Sequence, residues 1–219
     1  MDSISDILAT VSTPSIPAST LDLHALTRAW VTERVAPELL PYPGALMERT
    51  MARVRAQIEA VEEQTARGAE GAREAFRLVV VQTELERVKF LVRGFLRARI
   101  AKIDAHPLHV LLTHMALLSP SELHYARHHQ SLLAAHYSAS FLASFPPQLQ
   151  RLDDAAAGGV SMVSTPDLDT AVFCRVLRDV GEVLVEGTDA AFEMRRGDVY
   201  VVRWSAVREA VLNGDVELI

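Results

Sequence analysis

At 219 residues, with 49% hydrophobic residues and a net charge of -6, the chain can bury a sizeable core in one or two domains and has no general electrostatic attraction for a polyanion. Its single cysteine, Cys174, excludes an intrachain disulfide and any cysteine-cluster zinc site. No apolar run reaches the roughly 18 residues of a membrane span, and the first residues lack the basic start of a signal peptide, so a soluble intracellular protein is expected.

Residues 1–20 are rich in Ser and Thr and contain Pro14 and Pro17, which predicts a disordered tail with one apolar island at Ile7 and Leu8. From Leu21 the pattern turns helical, with Leu23, Leu26 and Trp30 on one face, until Pro37 and the turn Pro41-Tyr42-Pro43-Gly44 end the segment. Met47, Met51, Val54, Ile58 and Val61 then define an amphipathic stripe. Past Gly68 and Gly71, residues 72–105 give the longest helical stretch, striped by Val81, Leu85, Val88, Val92 and Phe95. Val79, Val80, Phe90, Leu91, Leu96, Ile100 and Ile103 make more than one of its faces apolar. Such a helix must be covered on more than one side. Either it is the central element of the bundle or it presents one face to another protein, and Val88, Phe90, Leu91, Val92, Phe95 and Leu96 are the candidates for such a contact.

Pro107 restarts the chain, and Ser119-Pro120-Ser121-Glu122 has the form of a capping box with Pro at the first helical position. The helix it opens carries Leu133, Tyr137 and Phe141 before Pro146-Pro147 stops it. These segments predict a bundle of about five helices over residues 21–150, followed by an Ala/Gly/Ser-rich flexible linker at 151–165.

Beyond the linker the period shifts to that of strands. Residues 170–178 and 182–186 are predicted as strands around a turn at Asp179-Val180-Gly181, and 199–204 as a third. Ser205 is the expected N-cap of a short helix that Gly214 stops, and the chain ends on Val216 to Ile219. The fold class is thus mainly α, a helical bundle followed by a small β-rich domain at 166–219 with one short helix. Residues 160–219 carry 6 basic and 11 acidic groups, so most of the negative charge resides there. A module of this size is near the lower limit for independent stability. Trp204, Val216, Leu218 and Ile219 are accordingly candidate docking residues, whether the module leans on its own helical body or on a neighbour.

No phosphate-binding glycine loop, nucleophile elbow or HExxH motif occurs, which argues against catalysis. His124 and His128 are four apart on one helix, but no third metal ligand accompanies them, and no metal or other cofactor is expected. The stretch Arg87, Lys89, Arg93, Arg97, Arg99 and Lys102 is the most basic in the chain, with Lys89, Arg93 and Arg97 on one face. It could be a solvated face, a protein contact, or, as the alternative function, a nucleic-acid binding surface over residues 87–102. Cys174 alternates with Val172 and Val176 and is expected to be a small buried hydrophobe.

The ordered set PELLPYP (37–43), ELERVKFLVRGFLRARIAKID (84–104), LSPSELHYARHH (118–129), FPPQLQ (145–150), PDLDTAVFCRV (166–176) and VRWSAVREAVLNGDVELI (202–219) resembles the "Go" (Sld-five) subunit of the eukaryotic GINS complex. The resemblance implies a helical A domain, a small B domain and a structural role in initiation and elongation of DNA replication in the nucleus. It also implies a heterotetramer with three Psf-type subunits, joined to a RecJ-like cofactor and the MCM motor ring in the replicative helicase. Fungal members carry an acidic-apolar peptide that docks on the trimeric replisome adaptor hub. Asp6, Ile7 and Leu8 match the core of that peptide here, while Thr10 and Val11 depart from it.

Overall fold

The stripes in the sequence become helices close to where their spacing places them. A computed structural model describes residues 17–67, 71–153, 161–185 and 191–219. Among these, α1 spans Ala18–Val35, α2 Gly44–Arg67, α3 Ala72–Ala105, α4 Pro107–Thr113 and α5 Pro120–Ser140. The tail peptide at Asp6, Ile7 and Leu8 lies outside the described residues, as does the middle of the expected linker.

The described residues form two compact units, one from 17–27 with 45–88 and one from Arg28–Gly44 with 89–219. In the first, Leu26 of α1, Met47 and Val54 of α2 and Leu85 of α3 are buried. Asp22 on α1 accepts hydrogen bonds from Arg49 and Arg53 of α2 at 2.9 and 2.8 Å. In the second, Leu39, Ile103, Val110 and Ala126 form a core beneath Leu111 and Leu118. The capping box forms as its spacing predicts: Glu122 N–H donates to Ser119 Oγ at 3.3 Å, and Ser119 N–H donates to Glu122 Oε2 at 2.8 Å.

The strands are β1 (Ala171–Val176), β2 (Gly181–Leu184), β3 (Ala191–Met194), β4 (Val199–Arg203) and β5 (Val216–Leu218). The predicted hairpin between the first two does not form. Instead β1 is the centre of an antiparallel sheet ordered β4-β1-β5, with Val172 opposite Val202 and Val176 opposite Val216, while β2 pairs with β3. Strand β3 carries little β-propensity in Ala-Phe-Glu-Met, which is why the sequence left it unassigned. Two glycines at positive φ route the chain: Gly181 (φ 83) turns it into β2, and Gly197 (φ 95) returns it beside β1 by donating its N–H to the Val176 carbonyl at 2.9 Å.

The last helix, α6, spans Trp204–Asn213, and its N-cap is Arg203 rather than Ser205. Its first two N–H groups already have partners, since Trp204 N–H donates to Thr170 O at 2.9 Å and Ser205 N–H to Leu168 O at 3.0 Å. A capping side chain is not required there. Gly214 in the left-handed region (φ 78) ends the helix. Alternation along β1 turns Val172, Cys174 and Val176 inward under Trp204, Val207 and Ala210 of α6. Ala36 and Leu40, just past α1, belong to this same core. The C-terminal module therefore docks on its own chain, not away from it.

Candidate functional site

The residues that organise the second unit are charged. Arg99 occupies the position that continues the stripe Val88, Val92, Phe95 on α3, and its side chain is fully buried. All five of its guanidinium hydrogens find acceptors. Nε donates to Glu122 Oε1 at 2.7 Å and Nη2 to Glu122 Oε2 at 3.2 Å, a bidentate fork onto α5. Nη1 donates to Glu33 Oε2 of α1 at 3.0 Å and to the Leu40 carbonyl at 2.7 Å, and Nη2 also reaches the Leu117 carbonyl at 2.9 Å. The rings of Tyr42 and Phe95 flank the guanidinium at 5.4 and 5.6 Å. One side chain thus ties the end of α1, the Leu40 turn, the segment before α5 and the first turn of α5 to α3.

The network runs on to the C-terminal module. Lys102 Nζ donates to Glu33 Oε1 at 2.8 Å and to the Glu38 carbonyl at 2.7 Å. Burial is the main influence on this ammonium and holds its pKa below the ordinary lysine value, with Glu33 opposing the shift. The Glu38 carboxylate, itself buried, accepts from Trp204 Nε1 at 3.1 Å and from Arg208 Nε, both on α6. At the edge of the module Arg28 of α1 lies 3.5 Å from Glu217 of β5.

This arrangement changes the sequence assignments. Of the candidate interface residues on α3, Val92 and Phe95 are buried within the chain, Val88, Leu91 and Leu96 are partly buried, and Phe90 is exposed and packs edge-on against Trp30 at 5.9 Å. The outward apolar face of α3 instead includes Phe76, Val79 and Val80 in the first unit, on the side opposite the stripe that ends in the core. Among the candidate docking residues, Trp204, Val216 and Leu218 pack in the core shared with Ala36 and Leu40, while Ile219 is half exposed.

The basic stretch does not make one exposed face. Arg99 and Lys102 are consumed by the ionic network and Arg87 pairs with Glu84 at 2.7 Å, leaving Arg93 and Arg97 exposed and Lys89 partly buried. His124 and His128 are exposed on α5. Among the described residues no three His, Cys, Asp or Glu side chains converge as a metal site, and no helix is long and apolar enough to cross a membrane.

Part of the apolar surface left uncovered among the described residues is aromatic. The face of α5 that is buried at Glu122 and Ala126 and half buried at Leu133 continues one and two turns on as Tyr137 and Phe141, which are 37% and 47% exposed. Their ring centroids lie 5.8 Å apart, and Phe145 extends the series 6.2 Å beyond Phe141. Leu132 and Leu149 are also exposed nearby in sequence. An apolar face that begins in the core and continues into solvent is the kind of patch that marks an interaction site.

Two family profiles match the chain, the GINS complex protein helical bundle domain over residues 51–141 and the DNA replication complex GINS protein SLD5 C-terminus over residues 166–219. Curated relatives described as DNA replication complex GINS protein SLD5 align over nearly the whole length. That of Chaetomium globosum is 50% identical, with 99% of each chain covered. Those of Schizosaccharomyces pombe and Arabidopsis thaliana are 39% and 36% identical, covering 90% and 92% of this chain and 92% of each relative.

Proposed function

Because this chain belongs to the SLD5 family of GINS proteins, we propose that it is a non-catalytic structural subunit of a GINS complex acting in eukaryotic DNA replication. In this reading it is built into a heterotetramer with three Psf-type subunits. That tetramer bears on the MCM motor ring and a RecJ-like cofactor in the nucleus, and the ATP chemistry belongs to the motor. The tail peptide at Asp6, Ile7 and Leu8 supplies a contact to a trimeric adaptor hub.

The single observation that carries the assembly role is the aromatic continuation of α5 through Tyr137 and Phe141. Fully burying a side chain of this kind is worth about 1.5–3 kcal/mol, so an uncovered series of them favours association over a free monomer. The buried Arg99 network supports the same reading, because it fixes α5 against α1 and α3 and so holds that face in one orientation. The reading of residues 87–102 as a nucleic-acid surface has less support, since Arg99 and Lys102 face inward.

Expression of the chain alone and with the three other subunits tests the role. Aggregation alone and recovery of a soluble equimolar tetramer on co-expression are expected. A stable, dispersed monomer that ignores the other subunits contradicts it.

A further inference from the structure

The residues that lead into β1 run beside a cluster of imidazoles. Among the described residues, Ser161 to Pro166 make no backbone–backbone hydrogen bond, and Ser164 and Thr165 are exposed. Ser164 Oγ nonetheless has one fixed neighbour, His106 Nδ1 at 3.0 Å, at the junction between α3 and α4. His106 lines a small cleft together with Lys102, His109, His114 and Pro166. The rings of His109 and His114 lie 4.8 Å apart.

The other charges of this cleft are matched already. Lys102 pairs with Glu33, and Glu38, the carboxylate in the lining, pairs with Arg208. The imidazoles are left without an anion of their own. The rings of His106 and His114 bond to the hydroxyls of Ser164 and Thr113, and burial, then repulsion from His114 and His106, holds the His109 imidazolium below its ordinary pKa while Glu38 partly opposes. A dianion at His106 would relieve that repulsion and accept a charge-assisted hydrogen bond.

The sequence supplies the means of placing one there. Ser164-Thr165-Pro166-Asp167 sets a carboxylate three residues after the Ser164 hydroxyl, with Asp169 two residues further, and a kinase with a basic substrate groove selects such a spacing by charge complementarity. Pro166 biases Thr165 toward extended backbone, and a segment without main-chain pairing can enter an enzyme's groove without breaking any.

We propose that Ser164 is a phosphorylation site for an acidophilic serine kinase and that His106 receives the phosphoryl group. In the transfer Ser164 Oγ attacks the γ-phosphorus of ATP and the bond from that phosphorus to the β–γ bridging oxygen breaks. ADP leaves with the electron pair, and the hydroxyl proton passes to the kinase's catalytic aspartate. The product carries a charge of about −1.5 to −2, and the His106 ring N–H donates to a phosphate oxygen. Asp167 and Asp169 are exposed, so their repulsion of the phosphate is screened by solvent and salt. The modification fastens the residues before β1 to the junction of α3 and α4. It goes beyond the assembly role and concerns residues of one chain, whichever subunits join it.

The test treats the co-expressed assembly with casein kinase 2 and ATP and maps the product by tandem mass spectrometry, where phosphate on Ser164 is expected. Phosphorus NMR then follows the titration of that phosphate, its resonance assigned by its absence from Ser164→Ala. Its second acid dissociation should be at least about tenfold stronger than in a free phosphopeptide of residues 161–170, as an opposite charge in hydrogen-bond contact demands. His106→Gln should bring it back to within about threefold of the peptide. An unmodified Ser164, a dissociation like that of the peptide, or a difference that survives His106→Gln overturns the proposal.

Discussion

Arg99 Nη1 of α3 and Glu33 Oε2 of α1 lie 3.0 Å apart with both side chains withdrawn from water. Removing one partner of such a pair leaves a buried uncompensated charge, which costs about 3–5 kcal/mol. Arg99→Met strands Glu122 and leaves Glu33 with Lys102 as its only cation, and should destabilise by that amount, read as a lower denaturation midpoint of the assembled protein in guanidinium chloride. Arg99→Lys keeps the charge but not the five-donor fork, and should fall between wild type and Arg99→Met.

Glu38 fastens α6 through Trp204 Nε1 and Arg208. Glu38→Ala leaves the buried indole N–H unpaired, at a cost of about 1–3 kcal/mol. Lys102 should keep its bond to the residue 38 carbonyl, so the loss is confined to the hold on the C-terminal module. Hydrogen exchange should rise in β1, β4 and α6 while α5 stays protected; a uniform rise would mean that Glu38 supports the whole unit instead.

A glycine inside a long helix costs about 1 kcal/mol relative to alanine, so Gly94 on α3 requires a reason. A Cβ there would lie 2.9 Å from Trp30 Nε1 and 3.2 Å from Cε2. Gly94→Ala must push Trp30 aside and with it the edge-on contact to Phe90. Overpacking of about 1–3 kcal/mol set against the propensity gain predicts a net loss of up to about 2 kcal/mol. A thermal midpoint above that of wild type would show that Trp30 moves freely.

The His109 imidazolium is held below its ordinary pKa, first by burial and then by repulsion from His114 and His106, with Glu38 partly opposing. Its ring stands 4.8 Å from that of His114. With the folded pKa below the unfolded one, the unfolded chain binds more protons just beneath pH 6.5. Stability from this group is fully present above pH 6.5 and declines as the pH falls through the folded value. Thermal midpoints at pH 7.5 and 5.5 should therefore fall more for wild type than for His109→Gln; equal falls would remove His109 as the cause.

The helices were legible because their apolar residues repeat at helical spacing and because Ser119 to Glu122 spells a cap. Arg99 and Glu33 were not, although each is the next step of a recognised stripe: Leu26, Trp30, Glu33 on α1 and Val92, Phe95, Arg99 on α3. A charge at a core step signals a buried ion pair only when an opposite charge occupies the matching step of another helix, and that pairing is a property of the fold. Strand pairing failed for a related reason. Alternation shows that β1 has a buried face, but the partners of that face were set by Gly181 and Gly197 routing the chain. At Ser205 the cap residue type was right for a helix start, yet carbonyls at 168 and 170 had already served the first N–H groups.

The account depends most on the aromatic face of α5 being a subunit contact. Tyr137→Asp with Phe141→Asp changes side chains that are partly open to solvent and make no contact with the Arg99 hydrogen bonds, so hydrogen exchange at the Arg99 network should be unchanged. Co-purification of the variant with the three other subunits is the direct measurement. Loss of the equimolar tetramer is the predicted result; full recovery of it, with both aspartates in place, would contradict the assignment.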